Sequence, residues 1–328
     1  MANIIENFKP FIGQHCETTA TGSLLNQIGI TFSEPMLFGI GEGLGFIFWN
    51  MKIMDFPFIG GRIKPDALTQ NIARNLNLKL EVKETSSLKK AWENVKNDID
   101  EDTAVGLKLD CYHLDYFTNK IHFAGHYVAM YGYDENLAYL VDTRQQGSKV
   151  KTSIKSLELA RNEKGPMSSK NLSYTIQDMK KGYDLKKTII ISIKNNAKDY
   201  LNPPIKNIGF EGVLKTSEEI KKWFKSSKNI ERDFKTTAML MEKGGTGGAL
   251  FRNLYRDFLK ESYELLQIEQ INEAYKIFSE VAILWTKIST LFDITGETQN
   301  VEYINQASEI LIELSEKEKR AMEILLSI

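Results

Sequence analysis

The chain has 328 residues, 42% hydrophobic and 26% charged, and 42 basic against 43 acidic residues leave a formal charge of −1. That is a globular composition, long enough for one large or two medium domains whose cores need neither disulfides nor a structural metal. Near-neutral charge excludes a protein that grips nucleic acid through its phosphates, no apolar run reaches the ~18–20 residues of a membrane span, and no signal-peptide core follows Met1, so a cytoplasmic protein is expected.

The first readable element begins at Gln14-His15-Cys16-Glu17-Thr18-Thr19-Ala20. Ala20, Leu24 and Ile28 are four apart, so one helical face starts just after Cys16, and Gly29 stops it. Cys16 then sits at a helix N-terminus, where unpaired N–H groups and the helix dipole favour a thiolate. The same turn offers the Cys16 N–H to an oxyanion, with the Gln14 amide as a candidate second donor. The competing reading is a small core residue.

The run Gly39-Ile40-Gly41-Glu42-Gly43-Leu44-Gly45-Phe46 lacks dinucleotide-binding spacing and leads into an apolar run, not a helix. Glu42 and Gly43 are candidate substrate-wall residues, against a plain packing role. Runs at 46–49, 104–109, 127–131 and 138–141 fit strands. Cys111 has no helix-start context and reads as packing, so both cysteines are expected to be free thiols.

The stretch from His122 to Thr143 reads as a β-hairpin turning at Asp134-Glu135-Asn136. A reversal centred on Asp134 sets His126 opposite Asp142, with Cβ atoms ~4.5–5.5 Å apart. A carboxylate on one imidazole nitrogen fixes the tautomer and leaves the other for a thiol. Cys16, His126 and Asp142 are therefore the candidate catalytic residues, against a hairpin tie and a core cysteine. His122 and His126 are four apart, and on a strand that separates them by ~13 Å along the chain, too far for one metal ion. With His15 and Cys111 they leave a zinc hydrolase as a minor alternative, and no metal is expected.

Near residue 178 the pattern turns helical. Leu185, Ile189, Ile193, Ala197 and Leu201 share a face that ends at Pro203 and Pro204, and further amphipathic stretches fall at 216–226, 229–242, 248–267, 269–292 and 300–327. The glycines of Gly244-Gly245-Thr246-Gly247-Gly248 open a helix whose N–H groups suit an anion, with Arg252 as a further donor; a structural turn with Arg252 in an ion pair is the alternative. Glu309, Glu313, Glu316, Lys317, Glu318, Lys319, Arg320 and Glu323 read as a solvated face of the last helix. The expected organisation is an α+β domain at 1–178 and an all-helical domain at 179–328.

The order Cys16, His126, Asp142 resembles the papain-like superfamily, in particular its leader-peptidase branch. A longer similarity is to the butirosin-biosynthesis acyltransferase family, carried by His15-Cys16-Glu17-Thr18-Thr19-Ala20, Ser33-Glu34-Pro35-Met36-Leu37-Phe38-Gly39, the glycine run that follows, and His122-Phe123-Ala124-Gly125-His126. In the helical half it continues through Leu201-Asn202-Pro203-Pro204 and the stretch from Gly247 to Leu259. The resemblance implies a papain-like catalytic domain joined to a helical domain that binds substrate and carrier protein. It implies an amide-forming acyltransferase of antibiotic-type biosynthesis, with Cys16 as nucleophile, His126 as base and acid, and Asp142 orienting His126. No bound cofactor is implied: the acyl donor is a phosphopantetheine thioester on an acyl or peptidyl carrier protein, and the acceptor a small-molecule amine. A cysteine peptidase or amidase, and a binding protein of the same shape without turnover, are the alternatives.

Overall fold

The structure, a computed structural model, describes residues 2–52, 54–118, 120–165 and 168–328. Its strands in chain order are β1 (Asn3–Ile4), β2 (Leu44–Trp49), β3 (Phe58–Arg62), β4 (Leu78–Lys83), β5 (Val105–Leu109), β6 (His126–Tyr133), β7 (Leu137–Val141), β8 (Lys149–Ser153) and β9 (Ser173–Asp178). The α-helices are α1 (Cys16–Gln27), α2 (Glu34–Ile40), α3 (Ala67–Asn75), α4 (Leu88–Asp100), α5 (Ile154–Asn162), α6 (Leu185–Leu201), α7 (Gly209–Ser226), α8 (Ile230–Lys243), α9 (Arg252–Leu266), α10 (Glu269–Thr298) and α11 (Val301–Leu326).

The chain divides into two compact units, one of Met1–Leu37 with Pro65–Tyr183, the other of Phe38–Lys64 with Asp184–Ile328. In the first, an antiparallel sheet runs β4-β9-β5-β6-β7-β8, with β1 also on β6. Its central strand β6 is buried along nearly its whole length, as the uninterrupted apolar run from Tyr127 to Tyr131 requires. Helix α1 packs on β6. Every residue from Cys16 to Leu25 is buried, and the helix achieves this with small side chains: Thr18, Thr19, Thr21 and Ser23 are each fully covered.

The second unit contains the β2–β3 hairpin and the helices from α6 onward. Sequence patterning set one division at 178, whereas 38–64 groups with the C-terminal helices. Local chemistry accounts for this: Asn196 Nδ2 donates to the Leu44 carbonyl at 2.8 Å, Phe48 N to the Asn207 carbonyl at 3.0 Å, and Phe46 packs against Trp285 with ring centroids 5.6 Å apart. A Cβ on Gly39 would fall 2.1 Å from the Phe258 ring, so only glycine admits that close approach.

The region from 185 onward is helical, as its periodicity predicts; α6 has the expected bounds, and Ile189, Ile193 and Ala197 are fully buried. Two starts differ. α7 begins at Gly209, ahead of the amphipathic stretch at 216–226, and α9 begins only at Arg252 because Gly247, Gly248, Ala249, Leu250 and Phe251 all take positive φ. Among the described residues no helix is long and apolar enough to cross a membrane.

Candidate active site

Helix α1 starts at Cys16 with His15 as its N-cap residue, and Gly29 follows its end at φ +82°. The preceding turn is held by one carboxylate: Glu34 accepts from Gln14 N (2.9 Å), His15 N (2.8 Å) and Thr18 Oγ1 (2.8 Å). This clamp fixes the chain entering the helix, so the Cys16 Cβ leaves the backbone in one direction. Cys16 is 8% exposed, while Gln14, two residues upstream, is exposed.

His126 opens β6 and pairs with Leu109 of β5. Its Nε2 lies 2.8 Å from Asp142 Oδ2, and Cys16 is near enough to favour the charged imidazole. The expected direct opposition of residues 126 and 142 is corrected by the observed register. The turn centres on Glu135 and Asn136, because Asp134 N donates to the Leu137 carbonyl while the Asp134 carboxylate accepts from Asn136 N and Leu137 N. Tyr133 therefore pairs with Ala138, a bulge between Met130 and Gly132 takes up one residue, and Ala129 pairs with Val141. By continuation Asp142 falls opposite Val128, and His126 reaches it along the diagonal on the same face, a separation of ~7–8 Å that an imidazole spans.

Asp142 has no solvent exposure and is held by three donors. Oδ1 accepts Thr143 N at 2.6 Å; Oδ2 accepts the Tyr116 hydroxyl at 2.8 Å beside His126. Burial disfavours the His126 cation, yet the Asp142 charge and hydrogen bond, joined by the Cys16 contact, raise its pKa well above 6.5. Burial, and then the adjacent Asp142 charge, lift the Tyr116 phenol well above its usual 10.0, so it acts as a neutral donor. Phe117 covers the His126 ring edge-on, centroids 5.3 Å apart. Neither Tyr116 nor Phe117 stood out in the sequence. Their only signal is an aromatic pair in the segment between the β5 strand and the hairpin.

Cys111 is buried and its thiol donates to the Ile121 carbonyl at 3.4 Å. Burial raises its pKa above 9.0, although the nearby His126 pulls the other way. It packs, as its context predicted, within electrostatic range of Cys16 and His126.

The remaining candidates lie in the second unit. Glu42 is buried at φ +55° and accepts Asn195 Nδ2 at 2.9 Å. Gly43 N donates to the Phe38 carbonyl at 2.9 Å, and a Cβ there would meet the Phe38 ring at 2.7 Å. Both residues thus shape the turn into β2.

Arg252 as an anion donor is corrected. It is fully buried, Nε and Nη2 bind Glu318 at 2.8 and 3.1 Å, Nη2 meets the Tyr200 hydroxyl at 3.2 Å, and Nη1 donates to the carbonyls of Leu250 (2.9 Å) and Gly61 (3.3 Å). All five N–H groups are spent inside the protein. The glycine turn before it is also closed to an anion, since Ala249 N faces both oxygens of the Glu242 carboxylate at 3.2 Å and Gly248 N donates to Thr246 Oγ1.

Glu318, expected on a solvated face, is fully buried in the same network with Trp285 Nε1 at 2.8 Å. Its spacing carried the signal: Leu311, Leu314, Glu318, Met322 and Leu325 fall on one stripe of α11, and the other four are buried apolar residues.

Residues 15–143 match the family described as Butirosin biosynthesis protein H, N-terminal, and residues 155–325 match the Domain of unknown function (DUF4872). No curated protein matches the chain. The first match spans Cys16, His126 and Asp142, and the second covers more than half of the chain. The chain belongs to the family in which a butirosin biosynthesis protein H N-terminal domain is followed by a DUF4872 domain.

Proposed function

We propose that the chain is an amide-forming acyltransferase on a papain-like catalytic domain, acting in the cytoplasm in antibiotic-type biosynthesis. The observation that carries this reading is the single imidazole flanked by a buried carboxylate and by the side chain of a cysteine that heads a helix. Cys16, His126 and Asp142 are assigned the roles of nucleophile, proton shuttle and orienting group.

The thiolate of Cys16 attacks the carbonyl carbon of an acyl thioester on a carrier-protein phosphopantetheine. The tetrahedral oxyanion takes the N–H of Cys16 at the helix start, and the exposed Gln14 amide is the second donor proposed. The C–S bond to phosphopantetheine then breaks and its sulfur takes the proton of the His126 imidazolium. An amine next attacks the acylated Cys16, neutral His126 receives the amine proton, and the amide leaves as the Cys16 thiolate re-forms. Asp142 holds the imidazole in place and stabilises the imidazolium in the stages where it forms. One sulfur replaces another in the first half, so selectivity rests on the second, where the amine must outcompete water. The helical region is the proposed carrier-protein dock. Arg252 is withdrawn from the phosphopantetheine site.

Intact-mass measurement after incubation with an acyl thioester tests the reading. The wild type gains the acyl mass and Cys16→Ala does not; equal loading of both rejects it. Added amines then separate this reading from a peptidase or amidase, since only an acyltransferase converts the loaded enzyme to amide product faster as amine concentration rises.

A further inference from the structure

The hairpin reading placed His122 on a strand with His126. The observed strand starts at His126, so His122 lies in the connection between β5 and β6, and the ~13 Å separation that argued against a metal no longer applies to it. The loop instead brings His122 to His113 and to Glu163, the residue that follows α5. One ligand atom from each of the three lies within 4.8 Å of the others, and His113 Nε2 is 2.6 Å from Glu163 Oε2. These separations bracket the edge of about 3.4 Å of a tetrahedron built on bonds of ~2.1 Å.

A His113–Glu163 ion pair accounts for two of these residues, and the third is held separately. His122 is 59% exposed, yet its ring is oriented from behind: Nδ1 sits 3.0 Å from the buried Asp110 carboxylate, and the ring stacks on Tyr112 at 3.9 Å. A carboxylate on one imidazole nitrogen fixes the ring and frees the other nitrogen for a ligand, as it does for metal-binding histidines. Asp110 is itself locked, its Oδ1 accepting Tyr112 N at 2.9 Å and Phe123 N at 3.0 Å.

We propose that His113, His122 and Glu163 bind a divalent transition-metal ion, zinc(II) by ligand type, with water completing a four-coordinate shell. Two imidazoles and one carboxylate with no thiolate suit zinc over calcium or magnesium, which take all-oxygen shells. Binding forms three protein–metal bonds, and any proton on a coordinating imidazole nitrogen passes to solvent. The ion would tie both ends of the segment 113–122 to the end of α5. That segment supplies Tyr116 to Asp142 and Phe117 to His126, so the metal would act as a staple on the groups that hold the imidazole.

Cobalt(II) titration of the full chain reads the site directly. The wild type and the Cys16→Ser, Cys111→Ser double variant are expected to bind one equivalent, with the visible d–d absorption of a four-coordinate ion and without a thiolate-to-cobalt band in the near ultraviolet. His122→Ala, at an exposed side chain, should weaken cobalt and zinc binding at least tenfold, and Glu163→Gln likewise. A thiolate band that vanishes in the double cysteine variant, or equal affinity in wild type, His122→Ala and Glu163→Gln, overturns the proposal. Because the readout is metal affinity, failed acyl loading leaves the result intact.

Discussion

His126–Asp142 and Arg252–Glu318 are both buried pairs of opposite type, one in each unit, and they differ in how much of their bonding capacity the protein consumes. Arg252 spends all five N–H groups internally, and Glu318 accepts from Arg252, Trp285 and Tyr200. Nothing is left for a ligand, so this pair organises a core. In the first unit Asp142 is also saturated, by Thr143, Tyr116 and His126, but the imidazole commits only Nε2 to that pairing and lies close to Cys16. Burial alone therefore does not mark a functional site; bonding capacity left over in a buried titratable group is what separates the pair given a role in the proposed function from the one that organises a core.

The largest effect that would sharpen this contrast is expected from Asp142→Asn. Acyl transfer should fall about 10⁴-fold, as when an analogous orienting aspartate is replaced, because the imidazolium loses its counter-charge. Single-turnover loading of Cys16 measures it, and near-wild-type rates would remove Asp142 from the mechanism. Next comes Glu318→Ala, which strands a buried guanidinium and should cost about 3–5 kcal/mol of stability in urea unfolding. The surviving folded fraction should alkylate Cys16 at the wild-type rate with iodoacetamide. An altered rate would break the division of roles between the two pairs.

Tyr116→Phe removes one hydrogen bond to a carboxylate, worth about 1.5–3 kcal/mol. It should lower kcat roughly tenfold or more with KM unchanged, while Tyr139→Phe, on a strand outside the imidazole cluster, serves as control. The smallest effect is a pH dependence. Native His126 titrates well above 6.5, so its pairing stabilises the fold fully below the unfolded value of about 6.5 and is lost as pH rises through the higher native value. The stability gap between wild type and Asp142→Asn should be widest near pH ~6 and narrow toward alkaline pH. A gap that widens instead would show that the imidazole is neutral in the native protein.

Much of this was legible residue by residue. The α1 start at Cys16, the extent of α6 and the positions of β2, β5, β6 and β7 followed from apolar spacing, glycine stops and the proline pair, since these act within a few residues of chain; β1, β3, β4, β8 and β9 were not read. The pairing of His126 with Asp142 was read correctly as a contact and wrongly as a register. A single bulge moves every partner beyond it, and no local rule places a bulge. Glu318 is buried because its place on the α11 stripe, not its charge, decides which way it faces.

Sequence alone settled the α+β and helical division and the family signature, and it singled out the three residues proposed for chemistry, because backbone preferences and the spacing of side chains are properties of short stretches. Tertiary structure alone decided that 38–64 joins the helical unit, that Arg252 is enclosed, and that Tyr116, Phe117 and the His113, His122, Glu163 cluster exist. Each of these joins residues far apart along the chain, and such contacts depend on which surfaces pack together once solvent is excluded.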